Sequence, residues 1–303
     1  MDDLANNPAL QKRKLMAALQ DARAGSQMTQ AQAARELGWS TSKLLRIENG
    51  KHRVSPADLS ALLRVYGLTD PQIIKDIEAA AQAARTIRAG FRGRGITAEY
   101  RDYLSFEQSA ATIRQCETLL IPGHLQTEPY ALATIRGLSA RNDSEEAIHQ
   151  RVGIRLSGQQ IHQRQPPPIM HFLLDEAVIH RRVGGRAVMI EQLRHLKELN
   201  RLPHLTIQII PFEVGIHLGM CGPFILLSFA KESDRPVVYR ENDASDQLFR
   251  DDVDRIDEFS QTFEELAALA APVTWFDRII DDAISAMNLI GYERKGNGPT
   301  AIR

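Results

Sequence analysis

The sequence predicts an all-α N-terminal domain followed by a mixed α/β (α+β) C-terminal domain. Three observations support this fold class. Apolar residues recur at helical spacing from Pro8 to about Arg88, short runs rich in Ile, Leu and Val follow a glycine-rich segment at 90–95, and the two parts differ in charge. The chain has 303 residues, 43% hydrophobic and 25% charged, which is enough for about two domains with cores of their own.

The charge of the chain is unevenly distributed, although its net value is −1. Residues 1–95 carry 15 Lys or Arg and 9 Asp or Glu, a net charge of +6, whereas residues 96–303 carry 22 and 29, a net charge of −7. This asymmetry favours a basic module that meets a polyanion, joined to an acidic module with another role. The alternative is that two solvated surfaces differ in charge without any functional reason.

Capping residues divide the N-terminal segment into five predicted helices. The first helix carries Leu10, Leu15 and Leu19 on one face. The bounds of the other four are set by Thr29 and Gly38, by Ser40 and Asn49-Gly50, by Ser55-Pro56, and by Asp70 and Arg88. The GFRGRG segment at 90–95 then interrupts the helical pattern and is predicted to be a hinge or linker.

Residues 29–49, TQAQAARELGWSTSKLLRIEN, have the plan of two short helices joined by a tight turn. Ala34 is small enough to let the helices approach, and Gly38 can adopt the left-handed conformation that the turn needs. Leu37, Leu44 and Ile47 supply the apolar positions of a small core. The segment is therefore predicted to be a helix-turn-helix, the motif that places its second helix in the major groove of DNA.

The second helix of this pair and its flanks supply the candidate DNA-binding residues. Ser40 can cap the helix, and the residues after it face outward at its N-terminal end, where hydroxyl and guanidinium groups can reach base edges. Gln30 is expected over the DNA backbone, and the basic residues after the helix are expected on phosphates. The complete set is Gln30, Ser40, Thr41, Ser42, Lys43, Arg46, Lys51, His52 and Arg53. The alternative is a helical module with a purely structural role.

Residues 9–68 resemble the xenobiotic-response-element family of helix-turn-helix domains, the phage Cro and repressor type. The resemblance is carried by Thr29-Gln30, Ala34, Leu37-Gly38, Leu44, Ile47 and Glu48-Asn49-Gly50. It implies an ion pair between Arg23, at the end of the first helix, and Glu48, which would brace the domain rather than read bases. Trp39 departs from the β-branched residue usual at its position, and a larger ring there should bury more area.

Beyond the linker the pattern predicts five strands and several helices. The strands are expected at 112–121, 168–174, 205–211, 223–229 and 236–240, and the helices at 144–163, 185–200 and 246–270. A further helix is expected after Thr127, a potential cap that is followed by Pro129. The predicted domain bounds are 1–68 for the helix-turn-helix domain, 69–98 for a connecting helix and linker, 99–285 for a regulatory or partner-binding domain, and 286–303 for a disordered tail.

Several short motifs in the second domain occur in a characteristic order. They are P-G-x-L-Q-T-x-x-Y-A from Pro122, D-E-A from Asp175, Q-L-x-x-L from Gln192, P-F-x-x-G-x-H from Pro211, G-P-F from Gly222 and Y-x-E from Tyr239. Residues 100–280 therefore resemble the large C-terminal domain of actinobacterial, antitoxin-like regulators of the WhiJ-like type. His124 and Gly158 depart from the usual Leu and Arg. The resemblance implies a small partner protein that counteracts the regulator.

A partner protein and a small-molecule effector both remain open for this second domain. An effector needs a largely apolar pocket with a few polar groups, and a partner needs an exposed apolar patch. Gln126, Tyr130, Tyr239 and Glu241 are the candidate residues for either site.

The motifs of common enzyme classes are not found in the sequence. A zinc peptidase needs H-E-x-x-H, but the nearest segment, DEAVIH, has Asp175 in place of the first histidine. No G-x-S-x-G or Walker motif is found either, so no enzyme activity, metal or cofactor is predicted. The cysteines, Cys116 and Cys221, are expected to be buried thiols. With no apolar span or leader in the sequence, a cytoplasmic protein without membrane contact is expected.

The function predicted from these features is a sequence-specific transcriptional regulator that binds double-stranded DNA. A homodimer is expected because one short recognition helix contacts few base pairs, and paired half-sites raise affinity. The alternative function is an antitoxin-like interaction protein that acts mainly by sequestering a small partner protein.

Overall fold

The computed structural model describes residues 7–85, 97–139, 143–231, 234–241 and 246–293. The chain forms two compact units, residues 1–109 and residues 110–303. The predicted hinge at 90–95 lies outside the described residues, as does the end of the chain after Glu293.

The described part of the N-terminal unit is entirely helical. Its helices are α1 (Pro8–Gly25), α2 (Gln30–Glu36), α3 (Thr41–Glu48), α4 (Pro56–Val65), α5 (Pro71–Arg85) and α6 (Ala98–Glu107). Thr29, Ser40 and Ser55 cap α2, α3 and α4 through their side chains. Helices α2, α3 and α4 therefore begin where the capping signals place them, because these signals act within a few residues.

The core of this unit is formed by apolar side chains of the first five helices. Leu19, Leu44 and Leu62 are fully buried, and Ile77 and Ala81 of α5 join the same cluster. Helix α5 therefore packs within the N-terminal unit, whereas the sequence predicts a connecting helix and linker over 69–98. Helix α6, which the sequence pattern did not predict, also lies in this unit, where Ser105 accepts a hydrogen bond from Asn7 Nδ2 at 2.7 Å.

The C-terminal unit is built on a six-stranded mixed sheet. Its strands are β1 (Thr112–Glu117), β2 (Ile169–Asp175), β3 (Leu205–Ile210), β4 (Phe224–Ser228), β5 (Val237–Arg240) and β6 (Gln247–Phe249). Its α-helices are α7 (Glu128–Leu138), α8 (Glu145–Gly158), α9 (Glu176–His180), α10 (Arg186–Leu199), α11 (Val253–Leu269) and α12 (Phe276–Glu293). The strand order is β3-β2-β1-β4-β5-β6, and the all-α plus α+β prediction is confirmed.

The direction of the strands decides where their ends lie. Strands β1, β2 and β3 are parallel, while β4 is antiparallel to both β1 and β5. Strand β5 therefore points the same way as β1, and four strands end at one edge of the sheet, here called the carboxyl edge. One face of the sheet packs against α11, where Cys116, Leu173 and Leu226 share a cluster with Phe263 and Leu266.

The outer strands of the sheet differ from the inner ones. Along β3, Ala271 N donates to Ile209 O at 2.8 Å, and the Gln208 side chain donates to Ala271 O at 3.0 Å. The segment after α11 therefore occupies part of the outer side of β3. On the other side of the sheet, β6 has three residues.

Several sequence predictions for this unit were wrong. Residues 247–249 form a strand inside the predicted helix 246–270, which begins only at Val253. The predicted tail at 286–303 is helical as far as Glu293, because α12 continues an apolar face through Phe276, Ile280, Ala283 and Met287. Cys116 is buried, but Cys221 is exposed.

Candidate functional site

The turn between α2 and α3 is fixed by local interactions. Thr29 and Gln32 form a capping box, in which Gln32 N donates to Thr29 Oγ1 at 3.2 Å and Thr29 N donates to Gln32 Oε1 at 2.9 Å. Ser40 Oγ accepts from Lys43 N at 3.2 Å. Gly38 has φ +65°, which a residue with a Cβ adopts only at a cost. The two helices are thus held at a defined angle by their own sequence.

A buried carboxylate braces this helix pair from behind. Glu48 is 1% exposed, and it accepts hydrogen bonds from Arg23 Nε at 2.8 Å, from Tyr66 Oη at 2.8 Å and from Gln30 Nε2 at 2.7 Å. Arg23 also donates to Met28 O at 3.1 Å, at the entry to α2. The structure therefore brings Arg23 and Glu48 together, and it adds two donors that the sequence did not indicate.

The brace changes the position expected for Gln30. Its amide nitrogen donates to Glu48, so this group faces the interior of the unit rather than standing open on the surface. The other amide hydrogen and the carbonyl oxygen are the atoms of Gln30 left to approach a nucleic-acid backbone.

The exposed face of α3 is formed by two pairs of residues, and the members of each pair are four positions apart. Thr41, Ser42, Leu45 and Arg46 are exposed, whereas Leu44 and Ile47 are buried on the opposite side. Arg46 Nε donates to Ser42 O at 3.2 Å, so the guanidinium stem lies along this face. Leu45 was missed by the sequence interpretation, because an apolar residue beside Leu44 is more often a second core position.

Lys43, which is predicted to face DNA, contacts two side chains of its own unit. Its Nζ lies 3.1 Å from Asp58 Oδ1 of α4 and 3.7 Å from the centre of the Trp39 ring. Both contacts draw the ammonium group away from the exposed face of α3. Trp39 packs against the apolar cluster as well, so its ring gives this lysine a fixed contact.

The loop after α3 carries the basic flank. Lys51 N and His52 N both donate to Arg46 O, at 2.7 and 2.9 Å, so the chain turns sharply at the end of the helix. The side chains of Lys51, His52 and Arg53 are exposed. Gly50 has φ +64°, which favours glycine, and a Cβ there would also displace the flexible side chains of Met16 and Lys12.

The carboxyl edge of the sheet in the C-terminal unit collects a second set of polar groups. A loop of residues 211–223, here called the strap, connects β3 to β4 and must cross the ends of β2 and β1. His217 Nε2 lies 3.0 Å from Asp175 Oδ2, and both side chains are buried. Arg240 donates to Cys221 O at 2.8 Å and fixes the far end of the strap.

The strap exposes large apolar side chains although it is anchored. Phe212, Leu218 and Met220 are each more than half exposed, and Ile216 is 95% exposed. The short motifs of the sequence converge on this edge, since Pro122 follows β1, Asp175 ends β2, Pro211 begins the strap and Glu241 follows β5.

Three of the four residues predicted for a ligand or partner site are buried, so their side chains are not open to a partner protein in this structure. Tyr130 is 0%, Gln126 2% and Tyr239 3% exposed, and Glu241 alone of the four is exposed. Tyr130 Oη accepts from Ile121 N at 3.1 Å, and Gln126 Nε2 donates to Ile121 O at 2.7 Å. Tyr130 and Gln126 thus stabilise the turn after β1.

Glu117, at the end of β1, was not singled out from the sequence. Burial raises the pKa of Glu117 to about 8, and the charge of Glu241 adds to the rise, while a hydrogen bond from Gln115 and the charge of Arg155 oppose it. Gln115 Nε2 donates to Glu117 Oε1 at 2.8 Å, and Gln115 Oε1 is buried without a hydrogen-bond partner.

The family comparisons cover both parts of the chain. Residues 100–275, more than half of the chain, match the family described as a domain of unknown function (DUF5753). The chain belongs to this family. Residues 15–73 match a helix-turn-helix domain, which indicates a DNA-binding regulator. No curated protein and no solved structure matches the chain.

Two further findings concern the described residues alone. None of the helices in these ranges is both long and apolar enough to span a membrane. Within the same ranges, no group of three or more His, Cys, Asp or Glu side chains is arranged to hold a metal ion.

Proposed function

We propose that the protein is a sequence-specific DNA-binding transcriptional regulator of the Cro and repressor type. The observation that carries the proposal is the braced helix pair, whose second helix exposes Thr41 and Ser42 in its first turn and Arg46 in its last turn. Serine and threonine hydroxyls can contact bases or phosphates, and an arginine can bond two acceptors of a guanine. The basic flank of Lys51, His52 and Arg53 supports phosphate contacts that fix the register.

Fluorescence anisotropy on the DNA upstream of the protein's own gene tests this proposal. Binding should be at least about a hundredfold tighter than to a scrambled duplex, as expected for a specific site. Arg46→Ala should weaken specific binding by about 1–3 kcal/mol and relax the preference at one base pair. Lys43→Ala is a matched control, because its ammonium is held by Asp58 and Trp39, and its loss should cost less.

Equal binding to both duplexes, with a steep salt dependence, would contradict sequence-specific recognition at this site. That result would leave a basic surface that binds phosphates without reading bases.

The regulator is proposed to act as a cytoplasmic homodimer. A single α3 helix contacts few base pairs, so two copies on paired half-sites supply the affinity and specificity of an operator. Light scattering of the protein–DNA complex tests this, since two chains should bind each specifically recognised duplex.

The C-terminal unit is proposed to bind a small partner protein, as the resemblance to antitoxin-like, WhiJ-like actinobacterial regulators implies. The exposed apolar side chains of the strap support a protein partner over a small-molecule effector, because exposed apolar patches are typical of interaction surfaces. A binding role rather than catalysis is also proposed, since Asp175 caps α9 and holds His217. The alternative is a protein that acts mainly by sequestering this partner.

A two-hybrid screen with paired variants tests the role of the strap. Partners that use it should be lost with Ile216→Asp and kept with Ile169→Asp, which changes an isoleucine that is 62% exposed at the start of β2. Recovery of partners that are indifferent to Ile216→Asp would contradict a strap-mediated interaction.

A further inference from the structure

Leu45 is an exposed apolar residue on the face of α3 that carries the candidate base-reading groups. Its side chain is 42% exposed. Among the described residues of the N-terminal unit, Leu45 and Ile73 are the large apolar side chains with this degree of exposure. Ile73 lies on α5, away from the helix-turn-helix segment.

The packing of the unit does not account for Leu45. The inner side of α3 is completed by Leu44 and Ile47, which are 0% and 3% exposed. Leucine and alanine both favour the helical conformation, so the local structure does not require leucine here. The exposed apolar surface of Leu45 is therefore available for a contact outside the unit.

The neighbours of Leu45 identify the surface that it would contact. It lies one helical turn after Thr41, about 6 Å along the axis, and next to Arg46. The exposed face of α3 therefore combines two hydroxyls, one aliphatic group and one guanidinium. In the major groove, the 5-methyl group of thymine is the apolar feature that complements an aliphatic side chain, and it distinguishes thymine from the other bases.

We propose that Leu45 reads thymine through an apolar contact with its 5-methyl group. This inference rests on the proposed DNA-binding function and adds a specificity residue to it. The contact would lie beside the base pair read by Arg46, because the two residues are adjacent on the same face.

The test begins with selection of binding sites from a random DNA pool by the full-length protein. Each thymine of the selected site is then replaced by deoxyuridine, which removes the 5-methyl group and keeps every hydrogen-bonding group. Replacing one thymine in each half-site should weaken wild-type binding by about ten- to twentyfold, the size expected when a homodimer loses two buried methyl groups. Leu45→Ala should weaken binding to the thymine duplex by a similar factor and should bind both duplexes equally.

Ile73→Ala is the matched control, because it removes an equally exposed aliphatic side chain from another helix of the unit. It should bind and discriminate like the wild type. Full sensitivity to deoxyuridine in Leu45→Ala, or no sensitive thymine in the wild type, would overturn the inference while leaving a selected site and the proposed function intact. If the wild type enriches no sequence from the pool, the proposed function itself fails.

Discussion

Glu48 in the N-terminal unit and Glu117 in the C-terminal unit are both carboxylates withdrawn from water, but their surroundings differ. Glu48 accepts from Arg23, Tyr66 and Gln30, so a cation and two neutral donors compensate its charge. Glu117 accepts from Gln115, and burial in the first place, with the charge of Glu241 in addition, disfavours its ionised form. A buried carboxylate with this set of donors can brace a fold, whereas one beside a like charge is held at a cost.

This difference separates the roles of the two regions. In the N-terminal unit the buried polar groups hold α2 and α3 in position, and the functional groups lie outside on an exposed face. In the C-terminal unit the polar groups lie at the carboxyl edge, beneath a strap with exposed apolar side chains. The comparison predicts that loss of the Arg23 cation, the partner of Glu48, destabilises the N-terminal unit. Loss of the Glu117 charge should instead stabilise the C-terminal unit.

The largest expected effect follows Arg23→Ala. This change leaves Glu48 buried without its cation, and the free energy of unfolding of the N-terminal unit should fall by about 2–4 kcal/mol. The estimate is at the lower end for a buried pair, because the Arg23 side chain is 22% exposed. Urea unfolding followed by Trp39 fluorescence, in a Trp275→Phe background, isolates this unit.

Arg46→Ala is the control for that measurement, since it removes an exposed guanidinium from the same unit. Its unfolding midpoint should match that of the parent. An unchanged midpoint in Arg23→Ala would show that Tyr66 and Gln30 suffice to hold the Glu48 carboxylate.

The next effect concerns Glu117→Gln and has a defined pH dependence. Because burial raises the pKa of Glu117 from 4.5 to about 8, the folded state keeps a proton between these pH values that the unfolded chain has released. This group therefore lowers stability as pH rises from about 4.5 to 8. The free energy of unfolding of Glu117→Gln should match that of the parent near pH 5 and exceed it by about 1–2 kcal/mol at pH 8. This value is reduced for solvent screening, because the group is half-buried.

Urea unfolding at pH 5, 6.5 and 8, followed by Trp275 fluorescence in a Trp39→Phe background, measures this difference. Glu213→Gln, which removes an exposed carboxylate of the strap, is the control and should show no such trend. Parallel pH profiles for the parent and Glu117→Gln would contradict the assignment of the neutral form to folded Glu117.

The smallest effect is expected for Lys51→Ala, on the exposed basic flank. Loss of one phosphate contact should reduce the affinity for all duplexes by a similar factor and should lower the slope of log K against log salt by about one. Stability should not change, because this side chain is exposed. Titrations at four salt concentrations measure the slope, and an unaltered slope would remove Lys51 from the phosphate contacts.

Local signals explain which parts of the fold were predictable. The caps at Thr29, Ser40, Ser55 and Thr127 act through bonds to residues three positions away, so their effect can be seen in the sequence. The apolar period of α12 is equally visible in the sequence, so the prediction of a disordered tail from residue 286 was wrong for a reason that the sequence itself contains. Strand β6 is different, because its three residues owe their conformation to pairing with β5 rather than to their own pattern.

The same distinction applies to the candidate sites. The exposure of the hydroxyls and of Arg46 could be predicted from helical spacing. The contact of Lys43 with Asp58 could not, because it depends on the position of α4 relative to α3. Tyr130 and Gln126 were chosen for their polarity, and only the fold reveals that their polar atoms bond to Ile121. The raised pKa of Glu117 also depends on tertiary structure, because it comes first from burial and then from the charge of Glu241, which is distant in sequence.

The outer strands of the sheet limit how the C-terminal unit can associate with other chains. Addition of a strand from another protein requires a run of open backbone donors and acceptors. On β3, Ile209 O is already bonded to Ala271 N, and β6 offers three residues. Edge-to-edge growth of the sheet is therefore disfavoured, as in proteins whose edges are covered or short. A complex of this unit would have to be formed by side chains, and its specificity would depend on shape rather than on backbone pairing.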